Sequence, residues 1–285
     1  MKTLVCMYSN TNAHRITGEQ FINNVLKPLG ADLALCVKEG EPDNIFYQNA
    51  KYVWKHPPVK DWVKKFDEIS GNQEWQIIIN TEGHWFGACD QIKGQKANAA
   101  LILYYKWLLL NHLKDIRDQY DWIIVSRSDF LWCCLHCPMD LLNKNTVYLL
   151  DGPQYGGLND AHIILPSNKI DNYLDILIRV LQDPENVINK MHPNGNQEKL
   201  VKSMCDCSNI YFLPLTSYLV RENDGPPSWS MGVWSEQHGY YIKIPDYYCL
   251  CGRYLQAALL FPHLYAFWKT SLEKKLVDHK LNEWS

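Results

Sequence analysis

The stretch Tyr120-Asp121-Trp122-Ile123-Ile124-Val125-Ser126-Arg127-Ser128-Asp129 decides how this chain folds. Its apolar, β-branched centre is too short for a helix with a wet face and suits a strand buried on both sides. It then runs straight into a charged, polar corner. Working back towards the N-terminus, Thr3–Tyr8, Asp32–Val37 and Gln76–Asn80 have the same character, the last reading as a buried strand on its three consecutive Ile. A helix is predicted from Thr17 to Leu26, with Thr17 as cap and Pro28-Leu29-Gly30 as stop. A second, from Ala97 to Gln119, carries Leu101, Tyr105, Leu108 and His112 at three- and four-residue spacing. Between these, Tyr52–Ile69 reads as an amphipathic segment broken by Pro57-Pro58. Strands alternating with helices predict an α/β fold, a mostly parallel central sheet with helices on both faces and a mixed second half. Such sheets bind ligands at the carboxyl ends of their strands. That expectation places Ser9–Arg15, Asn80–His84 and Arg127–Asp129 along one rim.

Towards the C-terminus, Thr146–Leu150, Ala161–Leu165 and Ile210–Val220 are short strand candidates, with helices at Asn172–Leu181 and Gln197–Met204. Pro226–Gly239 reads as a Trp-bearing loop and Leu272–Leu281 as a charged amphipathic helix. With no internal repeat, low-complexity segment or clean linker, the 285 residues are expected to form one domain.

Composition narrows the function. Hydrophobic residues at 47% and charged residues at 21% exclude disorder as the dominant state. Lys and Arg number 28 against 31 Asp and Glu, a net charge of −3. That balance argues against a nucleic-acid binder, which needs clustered Lys and Arg, but leaves a local anion site open. Aromatics reach 13%, with 11 Trp and 17 Tyr; such rings suit the faces of sugars and equally build ordinary cores. A chain this long does not need disulfides, and Met1-Lys2 leads directly into an apolar run with no signal core. The ten Cys are therefore expected reduced, in a cytoplasmic protein. Tyr254–Trp268 is interrupted by Gln256, Pro262 and His263 and falls short of the ~20 residues of a membrane span; a buried helix is expected.

Three constellations carry chemistry. Asp129 at a strand end can hold a divalent cation on two phosphates, or simply cap the next turn. Tyr155-Gly156-Gly157-Leu158-Asn159-Asp160-Ala161-His162 opens an apolar strand. Its glycines allow close backbone approach to a ligand, and Asn159 and Asp160 offer acceptors for hydroxyls; a plain Gly-Gly turn is the alternative. Glu198, in the first turn of a helix entered from a polar loop, suits a general base, although acids are favoured there by the helix dipole alone.

Taken in order, these elements resemble GT-A-fold glycosyltransferases. The likeness is to bacterial lipopolysaccharide-type and large-DNA-virus-encoded members, in which Tyr-Asp-φ-φ-φ-φ-x-Arg-Ser-Asp is followed by Tyr-Gly-Gly-x-x-Asp-x-His. Here these stand at Tyr120–Asp129 and Tyr155–His162. His14-Arg15-Ile16-Thr17-Gly18 and Gly94-Gln95-Lys96 also look like that group, and the likeness spans roughly residues 1–225. It points in particular to chlorovirus-encoded enzymes that build capsid glycans, with xylose a candidate donor sugar. The resemblance implies transfer from a UDP-sugar to a hydroxyl of an oligosaccharide or glycoprotein acceptor, with inversion, in the host cytoplasm. It implies a nucleotide-binding half at 1–130, an acceptor-side half at 131–250 and C-terminal helices at 251–285. Asp129 would correspond to the last acid of the Asp-x-Asp motif, holding Mn²⁺ or Mg²⁺. Arg127 stands where the first acid belongs, which weakens metal binding and offers a guanidinium to the donor. Ser9, Asn10, Arg15 and Ser128 would border the nucleotide, and Lys93 and Lys96 its phosphates. Gly156, Gly157, Asn159 and Asp160 would meet the sugar. Glu198 would be the base, with Asp160 in reserve. Apart from the resemblance, the Trp-rich loop with Trp229 and Trp234 is the place for acceptor stacking, though an exposed lid and a buried core segment read alike in sequence.

Two other classes compete. A non-catalytic carbohydrate-binding protein on the same fold would account for the aromatic surplus and the incomplete acidic motif. A zinc module would use Cys133-Cys134-Leu135-His136-Cys137, but Cys205-x-Cys207 and Cys249-x-Cys251 fit poorly as a second ligand pair. Buried free thiols are the expectation.

Overall fold

The computed structural model describes residues 1–81, 98–191, 195–222, 232–236, 238–243, 245–247 and 250. Lys93, Lys96, Trp229, Cys249, Cys251 and the two C-terminal helix expectations lie outside these residues.

The first strand, helix and second strand stand in the expected order, the helix starting at His14 with Thr17 inside it rather than as its cap. Strand β1 (Thr3–Ser9) leads into α1 (His14–Phe21), which continues through a π-turn, Ile22–Leu26, into α2 (Lys27–Leu29) and stops at Gly30, whose φ is 54°. Strand β2 (Asp32–Lys38) is followed by α3 (Ile45–Asn49), capped by the Asn44 side chain, and by β3 (Tyr52–His56). The proline pair therefore separates a strand from α4 (Trp62–Ser70), rather than two halves of one amphipathic segment. Gly18 is what lets α3 lie against α1, since a Cβ there would come within 2.3 Å of the Ile45 side chain.

Gln76–Asn80 is not a strand. It forms a 3₁₀ turn, Glu74–Gln76, and a single helical turn, α5 (Ile77–Asn80). Three side chains override the β-propensity of the Ile run by converging on Asp67 of α4. Gln73 and Gln76 donate from their amides, and the Trp75 indole donates at 2.8 Å. Helical spacing then buries Trp75 and Ile78 together and leaves Ile77 exposed. Asn80 consequently does not end a sheet strand, which removes it from the expected rim.

The long helix α6 (Asn98–Leu113) ends before a 3₁₀ turn at Arg117–Gln119. It buries Leu103, Tyr104, Tyr105, Leu109, Leu110 and Leu113, while Leu101, Leu108 and His112 are only half-buried. The deepest face is thus rotated from the one read in the sequence, because α6 packs on the sheet on one side and on later helices on the other.

Strands β4 (Trp122–Ser126), β5 (Phe130–Trp132), β6 (Val147–Asp151) and β7 (His162–Pro166) follow. Where one helix was expected, α7 (Ile170–Leu174) and α8 (Ile176–Gln182) are separated at Asp175. Then come α9 (Pro184–Lys190) and α10 (Gln197–Met204). The Ile210–Val220 candidate divides into β8 (Ile210–Pro214) and β9 (Ser217–Arg221). Strand β10 (Gly232–Ser235) occupies part of what reads as a Trp-bearing loop, and β11 (Tyr240–Lys243) follows it.

The central sheet has seven strands in the order β3-β2-β1-β4-β7-β6-β8. All share one direction except β7, which is antiparallel to both β4 and β6. Successive residues alternate between two cores: Leu4 and Cys6 face α6, whereas Val5 and Met7 face α1 and the smaller sheet. That sheet, β10-β11-β9-β5, is antiparallel.

The reversed β7 has a direct consequence. Ser126 at the end of β4 pairs with His162 at the start of β7, and β6 ends beside them. The connection 152–161 therefore reaches the same rim as the carboxyl ends of β1 and β4.

Beneath this rim, His136 and His162 are buried with their Nε2 atoms 3.2 Å apart. His136 Nδ1 lies 2.8 Å from the Cys137 carbonyl, which can only accept, so Nδ1 carries the proton. His162 Nε2–H then donates to His136 Nε2, and the Ser126 hydroxyl donates to His162 Nδ1 at 2.9 Å. The chain of bonds is satisfied with both rings neutral. Burial holds His136 down to about 4 and His162 well below its ordinary value, the latter helped by His136. The unfolded chain takes up these protons near ~6.5, so their contribution to stability is complete above that pH and falls as pH drops towards 4. For His136 the shift from 6.5 to about 4 corresponds to on the order of 3 kcal/mol. Urea denaturation midpoints are expected to fall between pH 7 and pH 4.5, and to fall less in a His136→Leu/His162→Leu double variant.

Candidate functional site

Arg127, Ser128 and Asp129 form the corner where the chain leaves the central sheet for the smaller one. The Asp129 carbonyl accepts from the Val220 amide at 3.0 Å, starting the β5–β9 pairing. Ser128 faces the loop after β1, donating to the carbonyls of Asn10 and Asn12 at 3.2 and 3.1 Å. The Ser128 carbonyl in turn accepts from Thr17 of α1 at 2.6 Å. These bonds hold a β1–α1 loop in which Ser9 (φ 75°) and Ala13 (φ 58°) adopt the left-handed conformation, at a cost of about 1 kcal/mol or more each. Arg127 grips its neighbour in a fork, Nε to Asp129 Oδ1 at 2.8 Å and Nη2 to Oδ2 at 2.6 Å.

A cleft of about 400 Å³ opens above this corner. Its walls are Tyr8–Asn10 and Asn12 after β1, Arg127–Asp129 after β4, Leu101 and Ile102 of α6, Leu219–Arg221 of β9 and Lys243 of β11. Of the residues expected around a nucleotide, Ser9, Asn10, Arg127, Ser128 and Asp129 line it. Ser128 does so as a tie between loops. Arg15 is exposed on α1, its backbone amide on Glu222 at 3.1 Å, and is not part of the cleft wall.

The Gly-Gly constellation and the Glu198 helix prove to be one unit. A Cβ on Gly157 would lie 2.0 Å from the Glu198 carbonyl, so this glycine serves close approach to α10. The Leu158 amide donates to the Glu198 carbonyl at 2.9 Å. Asn196 accepts from the Lys199 amide as the cap of α10 and donates to the Tyr155 carbonyl at 2.9 Å. Tyr155 (φ 47°) and Gly156 (φ 81°) make the left-handed turn that this contact requires. The Asn159 side chain is turned onto its own loop, donating to the Pro153 carbonyl and accepting from the Ala161 amide.

Asp160 is buried, 5% exposed, and pairs with Lys106, 2% exposed, across the interface between α6 and the sheet. Lys106 was not read from the sequence, although it is a lone Lys in the otherwise apolar centre of α6. Burial disfavours its charge, but Asp160 outweighs this, and the Lys106 pKa is raised. Its Nζ also lies 5.6 Å from the centroid of the Tyr8 ring.

Glu198 is half-buried. Burial pushes its carboxyl upward and nearby Asp160 adds to this, opposed by its own backbone and by Lys243 and Lys106. Lys243 joins the two groups of residues. It lines the cleft, lies 4.8 Å from the centroid of the Tyr155 ring and pairs with buried Asp246 at 3.9 Å. Burial holds its pKa down, and the charges of Asp246, Arg127, Glu198 and Asp129 all act on it. Asp129, Asp160 and Glu198 thus share one electrostatic neighbourhood, linked through Arg127, Tyr8, Lys106 and Lys243.

Cys133, Cys134 and Cys137 are buried, and His136 Nε2 faces His162. Trp234 lies on β10, its ring 5.1 Å from that of Tyr241. Among the described residues, no helix is long and apolar enough to cross a membrane.

Two substitutions test this construction. Gly157→Ala should destabilise the fold by about 3 kcal/mol, because the clash is with backbone, read as a lowered denaturation midpoint. Lys106→Met should destabilise by about 3–5 kcal/mol by leaving Asp160 buried and unpaired, and a Lys106→Met/Asp160→Leu double variant should recover much of that loss.

No family model matches the chain, and no curated protein matches it. Among solved structures, the chain is similar to mouse xyloside xylosyltransferase 1 in its apo form, at 11% identity and a TM-score of 0.39. That match covers 75% of this chain and 85% of the mouse chain.

Proposed function

We propose that this protein is a glycosyltransferase that moves a sugar from a UDP-sugar to a hydroxyl of a glycan acceptor, with inversion. The observation that carries the reading is the convergence at one rim of the Arg127-Ser128-Asp129 corner, the Asp160 loop and the first turn of α10 with Glu198. A cleft with a charged floor beside a half-buried carboxylate suits displacement of a diphosphate by a hydroxyl. The roles differ between the two candidate bases. Asp160 is committed to Lys106 and holds the α6 interface, whereas Glu198 stands in a setting that raises its affinity for a proton.

In this reading Glu198 takes the acceptor proton, the hydroxyl oxygen forms a bond to the anomeric carbon, and the bond from that carbon to the diphosphate oxygen breaks. The electron pair leaves with UDP. The fused turn of Gly156, Gly157 and α10 fixes where the base stands relative to the sugar.

The Mn²⁺ or Mg²⁺ implied by the resemblance does not fit these residues as they stand. Among the described residues, the cleft wall offers one carboxylate, Asp129, with both oxygens on Arg127. Among the described residues, no group of three His, Cys, Asp or Glu is placed to hold a metal.

Glu198→Gln should lower kcat for transfer by about 10²–10⁴-fold and leave UDP-sugar affinity within about twofold. Unchanged turnover in that variant would remove Glu198 from the mechanism. In the unsubstituted protein kcat should rise with pH through an apparent pKa above the ordinary Glu value of about 4.3, because only the ionised carboxylate accepts a proton. A pH–rate profile checks this. UDP-sugar binding with no turnover against any acceptor or water would instead indicate a carbohydrate-binding protein on this fold.

A further inference from the structure

We infer that the cleft holds a diphosphate through the side-chain cations Arg127, Arg221 and Lys243, which take the place of a bound divalent metal. The inference rests on the UDP-sugar reading for the identity of the ligand, but its electrostatics stand on the cleft walls.

The charged side chains among the described lining residues are Arg127, Arg221 and Lys243 against Asp129, so 3 − 1 = +2. This local excess stands in a chain whose overall charge is −3. The carboxylate among these residues, Asp129, is already paired with Arg127. Asp129 would have to ligate a cation with the lone pairs left over from two charge-assisted hydrogen bonds of 2.8 and 2.6 Å, with the guanidinium beside the incoming ion. The fork uses two of the five N–H donors of Arg127, and a planar guanidinium of this kind suits phosphate oxygens with the rest.

Lys243, on β11, supplies a second charge. Its side chain is 13% exposed, and its ion pair with Asp246, at 3.9 Å, is longer than a hydrogen bond. Asp246 is 3% exposed and is not among the described residues of the wall, so Lys243 is the member of the pair that meets the cleft. Arg221, at the end of β9, adds the third charge. Among the described residues of the wall, Ser9, Asn10 and Asn12 add uncharged polar groups. A ligand carrying about two negative charges complements such a wall; a divalent cation is repelled by it.

The test is calorimetric titration of the full chain with UDP and with inorganic pyrophosphate, in excess EDTA and again with Mn²⁺. Binding of both in EDTA is expected, with UDP affinity changed by no more than about twofold by Mn²⁺. Arg221→Gln and Lys243→Gln should each weaken binding by about tenfold, the range of one charge-assisted hydrogen bond. Lys202→Gln, on the exposed side of α10, should not. Arg221 is half-buried, so its variant serves if Lys243→Gln does not fold. UDP binding only with Mn²⁺ overturns the cationic cleft and leaves the transferase reading standing. Pyrophosphate binding in EDTA with no preference for UDP and no sugar transfer upholds the cationic cleft and overturns the transferase reading. No binding of either anion under both conditions overturns both.

Discussion

Lys106 carries its charge to the bottom of an apolar interface, and the structure around the cleft depends on Asp160 meeting it there. Desolvating an ammonium and a carboxylate is expensive, and only a close, well-oriented pair offsets it. Asp160 lies just ahead of the sheet's reversed strand, so the pair pins α6 to the point where the chain re-enters the sheet. Tyr8, at the end of β1, lies over the same ammonium. One buried interaction thereby fixes α6, β1 and β7 with respect to one another, and these border the cleft or the loop beside it.

The second determinant is direction. A wholly parallel sheet would put the start of the strand beside β4 at the far edge. Because β7 runs backwards, the connection from β6 delivers its glycines and Asp160 to the edge already occupied by Ser9 and Arg127. The smaller sheet closes the opposite side, since β5 starts directly after Asp129 and draws β9 and β11 over the opening. Charge from three separate parts of the chain reaches one volume in this way.

The strands β1, β2, β4 and β7 were legible because each is apolar over most of its length, which is what burial on both faces demands. The Gln-Ile-Ile-Ile-Asn segment was misread for the same reason. Its Ile run looks like a strand, and only Asp67, on the preceding helix, reveals the competing hydrogen bonds that make it a turn. In the site, Ser9, Asn10 and the Arg127–Asp129 corner were legible because strand ends in such sheets are predictable places. The part played by Gly157 was not, since a glycine required by a ligand and one required by a helix backbone leave the same letter. Lys106 carried a signal, a single ammonium within an apolar helix. Lys243 and Arg221 carried none, because their position depends on which strands of the second sheet pair.

The contact between Gly157 and the first turn of α10 also restricts how this protein can diversify. Residue 157 admits no side chain while the helix stays where it is, and the helix cannot withdraw without carrying Glu198 away from its neighbours. Lineages that come to prefer a different ligand must therefore alter flanking positions such as Tyr155 or Leu158, or shift loop and helix together as a single rigid piece.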